Sequence, residues 1–233
     1  MNLIKFVFVL VSSVLVSSTF VEGGYYYKTE LLSTCKVELP VSVPTDWITM
    51  VHSCSNLMMQ QVQKEFNASL TYLAMGAHFS RDCVNRPGFA KYFFDSASEE
   101  RQHAIKFISY LTMRGNLTDY HKHVLALIPG SIMTGVPQMT WDSSAHAIQD
   151  ALKLETLVTE SIRQIVIECE QGKNHAGDTE TVNDYHLSDW LTGEFLDEQY
   201  KGQRKLAGML STLRKMENSH GKLGEFLMDK TFL

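Results

Sequence analysis

Proline is scarce in this chain, with five in 233 residues, and two of those fall at Pro40 and Pro44. The stretches they leave free are long enough for helices of many turns, because nothing in them removes a backbone donor. Cysteine is also sparse. Cys35, Cys54, Cys83 and Cys169 show no Cys-x-x-Cys and no Cys/His spacing, which excludes a zinc finger or ribbon. Charge of one sign is lacking too: the net charge is -5 at pH 7, and neither a basic stripe nor a basic amphipathic segment is present. Nucleic acid and membrane are therefore not expected partners. There is no internal repeat and no low-complexity tract. Only one strongly apolar run occurs, Phe6 to Val16, and it is shorter than the roughly 20 residues of a membrane span.

That run follows Lys5 and precedes small polar residues, the pattern of a secretory signal peptide. Cleavage is expected near Gly23, after Val21-Glu22-Gly23, with Val16-Ser17-Ser18 as the competing position. Residues 1–23 form the signal peptide in this reading, 24–46 an irregular N-terminal extension, and 47–233 one folded domain. About 210 residues can bury a substantial core. In an oxidising compartment the four cysteines can pair, and their three complete pairings stay open from the residues alone.

Helix-period patterning dominates the rest. Asp46 can cap a first helix from Trp47, with a stripe of Val51, Cys54, Met58, Val62, Phe66, Leu73 and Phe79. Asn85-Arg-Pro-Gly88 makes a turn, and a second helix runs from Phe89 to Arg114 and stops at Gly115. A connection of about 25 residues follows, with Pro129-Gly130 and Pro137, far longer than the usual 2–8 residues between helices. It lets the chain travel the length of a bundle. The third helix spans Ser143–Glu170, Gln171-Gly172 through Asp178 breaks it, and the fourth runs from Thr181 to Asn218 on Leu191, Phe195, Leu206, Met209 and Leu213. A fifth, Gly221–Lys230, closes the chain. The pattern predicts an all-α four-helix bundle with one long crossover and a short C-terminal helix.

Within the second stripe (Phe93, Ala97, Ala104, Phe107, Leu111) stands Glu100-Arg-Gln-His103. Residues three apart share a helix face, so both side chains point to the core. An ionised carboxylate buried without a partner costs several kcal/mol or becomes neutral; a cation removes the conflict. Alone, the pair reads as two residues that pair with each other or lie on a solvated face. The other helices change that reading. Glu65 and Tyr72 lie on the inner side of the first, Glu155 stands between Leu152 and Ile162 on the third, and Gln199 stands between Phe195 and Leu206 on the fourth. Each helix thus donates an inward oxygen or nitrogen, the way a bundle builds a di-metal carboxylate site, for which ferritin-like proteins are the standard example. Three carboxylates and an imidazole suit iron. Helix four carries no second buried Glu-x-x-His. Glu217-Asn-Ser-His220 matches the string but sits at a helix end and reads as solvent-facing. The second metal position is therefore ligand-poor, which suits a metal in transit.

These residues carry a resemblance. Asn85-Arg-Pro-Gly-Phe89, Glu99-Glu-Arg-Gln-His103, Tyr72-Leu-Ala-Met75, Glu194-Phe-Leu-Asp-Glu-Gln199 and Gly224-Glu-Phe-Leu-Met-Asp-Lys230 together resemble ferritin over residues 47 to 231. The signal peptide and cysteine-bearing extension make the chain similar to secreted insect ferritins of the heavy-chain, ferroxidase type. The resemblance implies a 24-subunit shell, shared with light-chain-type subunits and further copies of the chain, that stores ferric mineral. It implies a first iron on Glu65, Glu100 and His103. A second iron falls on Glu100 and Glu155, with Gln199 nearby and Glu99 assisting, and Tyr72 supplies a phenol beside the site. Secretion into haemolymph and retention in the ER or Golgi are both implied.

Other implied features are thinner. The face of helix two where many ferritins nucleate mineral shows Asp95, Ser98, Glu99, Gln102 and Ile105. Asp189 matches an acid of the three-fold channel, while Thr192 stands in place of another. Bundle topology brings the end of helix three to the start of helix one, which implies a Cys54–Cys169 disulfide; Cys35 is left to bridge subunits and Cys83 is unpaired. Of two glycosylation strings, Asn67-Ala-Ser69 falls mid-helix and is set aside, whereas Asn116-Leu-Thr118 opens a loop. The reading is thus an iron-oxidising storage subunit. The alternatives are a non-catalytic shell subunit and a di-iron oxygenase, the latter disfavoured by the absent second histidine.

Overall fold

The structure is a computed structural model that describes residues 50, 52–114, 139–171 and 183–233. The signal peptide, the extension with Cys35, the start of the first helix at Trp47, Gly115, Asn116, the crossover and the break before Thr181 lie outside the described residues. Among the described residues the regular structure is entirely helical, and no helix is long and apolar enough to cross a membrane. The elements are α1 (His52–Ser80), α2 (Pro87–Arg114), α3 (Ser144–Gln171), α4 (Tyr185–Leu191), a π-helical turn (Thr192–Leu196), α5 (Asp197–His220) and α6 (Lys222–Lys230). α4, the π turn and α5 follow one another without leaving helical backbone, so they form the expected fourth helix.

Helix starts are set by local chemistry. α2 begins at Pro87, two residues before the expected Phe89, because proline at the first helical position sacrifices a donor that has no partner there. Asn85 takes the preceding positive φ of 48°, which asparagine tolerates. Ser143 Oγ receives the amide of His146 at the start of α3 (3.1 Å), and Asp184 Oδ1 receives that of Leu187 at the start of α4 (3.1 Å). The α5–α6 corner turns on Gly221 at φ 56°, a conformation that favours glycine.

α1 pairs most extensively with α2, and α3 with α5. The burial stripes largely follow the expected ones, with two shifts. On α1 the buried line runs Glu65, Ala68, Tyr72, Met75, Phe79, steps of three and four that leave Leu73 46% exposed. On α5 it runs Gln199, Leu206, Leu210, Leu213, so Leu210 takes the place expected for Met209, which is half-buried.

The core divides into two apolar halves. One gathers Met58, Val62, Ala104, Phe107, Val158, Ile162 and Phe195; the other gathers Tyr72, Phe93, Ala97, Ile148, Ala151, Leu206 and Leu213. The second, third and fourth helices cross between them through buried polar residues: Glu100 and His103 between Ala97 and Ala104, Glu155 between Ala151 and Val158, and Gln199 between Phe195 and Leu206. On α1 the crossing falls at Ser69, between Ala68 and Tyr72, and Glu65 stands one turn earlier, between Val62 and Ala68. A polar belt thus separates the two halves.

Covalent and C-terminal ties close the bundle. Cys54 and Cys169, both buried, form the expected disulfide with Cα atoms 5.7 Å apart, while Cys83 is free and exposed. The short α6 does more than append. Asp229, fully buried, accepts the Phe89 amide at the start of α2 (3.0 Å), and Glu225 accepts from Ser144 Oγ at the start of α3 (2.5 Å). Carboxylates at helix N-termini are favourably placed against the helix dipole. Gly88 makes the α2–α6 approach possible, since a Cβ there would lie 1.8 Å from the Asp229 carbonyl oxygen.

Candidate metal centre

The polar belt is built one helix at a time. On α2, Glu100 and His103 follow each other on the buried face. The His103 Nδ1 atom lies 3.6 Å from Glu100 Oε2 and 4.0 Å from Glu65 Oε2. All three side chains are nearly or fully enclosed, and one donor atom from each lies within 4.8 Å of the others. Glu65 Oε2, Glu100 Oε2 and His103 Nδ1 have no hydrogen-bond partner. Buried polar atoms are ordinarily satisfied. Here three unsatisfied ones face a common point.

Electrostatics states the same conflict. Burial pushes the Glu65 carboxyl well above the usual range, the neighbouring Glu100 adds to the push, and a hydrogen bond from Gln61 opposes it. Burial likewise raises Glu100 well above the usual range, with Glu155 and Glu99 adding repulsion. Without a cation, these carboxyls resist ionisation; a divalent ion among them would reverse that preference.

Across the cavity, Tyr72 OH donates to Glu155 Oε1 at 2.5 Å, and burial pushes its phenol well above the ordinary value. Gln199 is buried, with its Oε1 at 2.9 Å from Thr159 Oγ1. Thr159 is itself held by Gln203 Nε2 at 2.5 Å. At the second position one oxygen of Glu155 and the oxygen of Gln199 therefore already lie against partners, whereas Glu100 Oε2, common to both positions, has none. A cavity of about 830 Å³ joins these groups to the surface, lined among others by Tyr72, Glu99, Glu100, His103, Glu155, Glu198 and Gln199. Glu65 stands behind Glu100 and His103.

Sequence reasoning did not single out three features here. Glu198, exposed beside Gln199, places Oε2 3.4 Å from His103 Nε2 and forms a second group of potential ligands with Glu99 and His103. A carboxylate at Nε2 favours the tautomer that leaves the Nδ1 lone pair facing Glu65 and Glu100. Gln61, fully buried, donates Nε2–H to Glu65 Oε1 at 2.7 Å. Its signal was the four-residue spacing to Glu65, which puts both on one face. The third is the π turn. Leu187, Leu191, Phe195 and Gln199 are all buried at four-residue steps, each of which would swing about 40° around a regular α-helix. The wider π turn absorbs part of that drift and seats Phe195 edge-on to the His103 ring (5.5 Å). No residue in Thr192–Leu196 announces it.

The remaining candidates lie elsewhere. Glu217 is half-buried and raised by burial, then by Glu225, and His220 is exposed, so the second Glu-x-x-His string stays outside the belt as expected. Asp95 is exposed and paired with Lys91 at 3.1 Å. Ser98 is half-buried, while Glu99, Gln102, Ile105, Asp189 and Thr192 are exposed. Asn67 is half-buried within α1 with a buried, unbonded Oδ1, in line with setting its glycosylation string aside.

Comparison with known proteins places this geometry. A family described as "Ferritin-like domain" matches residues 55–216. The chain is 54% identical to the ferritin heavy chain of Papilio xuthus over 200 residues, covering 85% of this chain and 88% of that one. It is 47% identical to the ferritin heavy chain of Drosophila melanogaster, over 84% of this chain and 89% of that one. Among solved structures, the secreted ferritin of Trichoplusia ni superposes with a TM-score of 0.75 at 52% identity, covering 85% of this chain and 96% of that one. The chain belongs to the ferritin family and is of the insect secreted, heavy-chain type.

Proposed function

We propose that this chain is the iron-oxidising subunit of a ferritin shell: it takes up Fe(II), passes one electron from each iron to dioxygen, and releases Fe(III) to a mineral core. The observation that carries the reading is the convergence of Glu65 Oε2, Glu100 Oε2 and His103 Nδ1, three buried donor atoms without hydrogen-bond partners. Two carboxylates and an imidazole fit iron as a substrate, and anionic oxygens stabilise the more highly charged Fe(III), which favours the electron's departure. Glu65, Glu100 and His103 would hold the first iron. Glu100 and Glu155 would hold the second, with Gln199 and Glu99 beside it and Tyr72 orienting Glu155.

The same proposal covers the rest of the chain. Residues 1–23 direct secretion and are removed, residues 24–46 are an extension, and residues 47–233 form the subunit. The subunit assembles into a 24-membered shell with light-chain-type subunits, to which Cys35 forms an interchain bridge. Haemolymph is its destination, with a fraction held in the ER or Golgi.

The test is the rate of Fe(II) oxidation in air for this chain and for a Glu100→Lys, His103→Gly variant. The variant is expected to fall to the uncatalysed rate while keeping its sedimentation behaviour. Equal rates would remove the oxidase role and leave a shell subunit. A sedimentation coefficient of a monomer or dimer would remove the shell.

A further inference from the structure

A chain of hydrogen bonds reaches the candidate centre from the protein surface. The exposed Lys64 donates Nζ–H to Ser161 Oγ. Ser161 Oγ donates to Gln61 Oε1 at 2.6 Å, and Gln61 Nε2 donates to Glu65 Oε1 at 2.7 Å. The chain links two helices, since Lys64, Gln61 and Glu65 lie on α1 and Ser161 lies on α3.

Its direction is fixed at the surface. An ammonium group can donate but cannot accept. Ser161 therefore receives from Lys64 and turns its single proton toward Gln61. That proton selects the amide oxygen, and the amide N–H₂ is left facing Glu65. A carboxamide otherwise presents oxygen or nitrogen with nearly the same shape. Had it presented oxygen, its N–H₂ would face Ser161, and the serine proton would lose its acceptor on Gln61. The result for Glu65 is specific: Oε1 is held by a neutral donor, while Oε2 is left unbonded toward Glu100 and His103.

We propose that Gln61, with Ser161 and Lys64, is a positioning relay for metal uptake: it holds one oxygen of Glu65 so that the other is presented to the incoming ion. This rests on the reading of Glu65, Glu100 and His103 as the first iron position. The relay touches no reacting atom. It acts on how well the ion is bound rather than on electron transfer once the ion is in place.

The experiment uses the full chain, with anaerobic Co(II) binding followed by visible absorption and aerobic Fe(II) oxidation followed across iron concentrations. Ser161→Val and Ser161→Thr are nearly isosteric and differ by the hydroxyl. Ser161→Val is expected to weaken Co(II) binding and to raise the half-saturating Fe(II) concentration about five- to tenfold, with the saturated oxidation rate within about twofold. Ser161→Thr is expected to restore both. Gln61→Leu should match or exceed the effect of Ser161→Val, and Lys64→Met should produce about two- to threefold. Equal Co(II) affinity for the valine and threonine variants would overturn the relay, as would a loss confined to the saturated rate. A Glu100→Gln variant separates the two levels of the argument. If it binds Co(II) as the unmodified chain does, the metal position itself is wrong and the relay falls with it.

Discussion

Replacing Glu100 with glutamine should make the metal-free protein more stable while abolishing its proposed function. In the folded chain burial raises the Glu100 carboxyl above its ordinary value of 4.5, and Glu155 raises it further; Glu65 is raised by burial and by Glu100. Between the unfolded and folded values the native state holds more protons than the unfolded state. Stability is therefore greatest below the ordinary carboxylate value and falls as pH rises through the elevated one. The slope is at most about 1.4 kcal/mol per pH unit for each such group. From pH 5.5 to 7.5 the ceiling for one carboxyl is about 2.7 kcal/mol, roughly 5–10 °C in Tm for a domain of this size. Glu100→Gln removes one titrating group and relieves Glu65 as well, so the variant's advantage should already be present at pH 5.5 and grow toward pH 7.5. The assay is thermal unfolding of chelator-treated protein at several pH values. Adding Co(II) at pH 7.5 should raise the Tm of the parent and leave the variant nearly unchanged, because ligand binding to the native state stabilises it. An advantage that is constant with pH, or a variant less stable than the parent at pH 7.5, would refute the claim that buried carboxylates stand unneutralised in this core.

The Cys54–Cys169 bridge closes a loop of 115 residues, so a Cys54→Ser, Cys169→Ser variant should lose up to about 4.8 kcal/mol on the loop-entropy account, seen as a lower midpoint in urea unfolding. Gly88→Ala should cost about 1–3 kcal/mol, because its Cβ would meet the Asp229 backbone; an unchanged urea midpoint would show that α6 moves aside freely. Co(II) titration should show one tight step and one weaker step, with His103→Ala weakening the tight one and Glu155→Ala the weak one; a single step lost in both variants would contradict the asymmetry of the site.

The bundle was legible because apolar spacing and proline placement act locally. α2 and α3 fell within two residues of their expected bounds at the ends the structure describes. Leu73 was misplaced because a neighbour, Tyr72, is also apolar enough to own the stripe, and only three-dimensional packing chooses between residues about 100° apart on a helix. Buried polar residues on all four helices were legible for the opposite reason: each contradicts its own stripe. Gln61 does not stand out in that way, since a glutamine next to Gln60 on a helix reads as surface until Ser161 arrives from a distant part of the sequence. Glu198 was hidden for a similar reason, because its meaning depends on which nitrogen of His103 it meets. The π turn has no compositional signal at all.

On the proposed reading, the difference between the two candidate metal positions would let one bundle both attract an ion and release it. At the first position the donors of Glu65, Glu100 and His103 are unbonded, so an arriving cation forms new bonds and displaces none. At the second position Glu100 Oε2 is open in the same way, but Tyr72 already holds Glu155 Oε1 and Thr159 lies against Gln199 Oε1. Attraction is therefore strongest at one end of the belt, while the protein's own hydrogen bonds can re-form at the other as an ion departs. A second buried histidine would cancel that imbalance and favour a resident pair of metals. Placing the belt between two apolar halves confines the cost of this arrangement, because the rings and aliphatic side chains on either side, with the disulfide at one end and α6 at the other, hold the helices in register around a centre that is itself unfavourable without its ion.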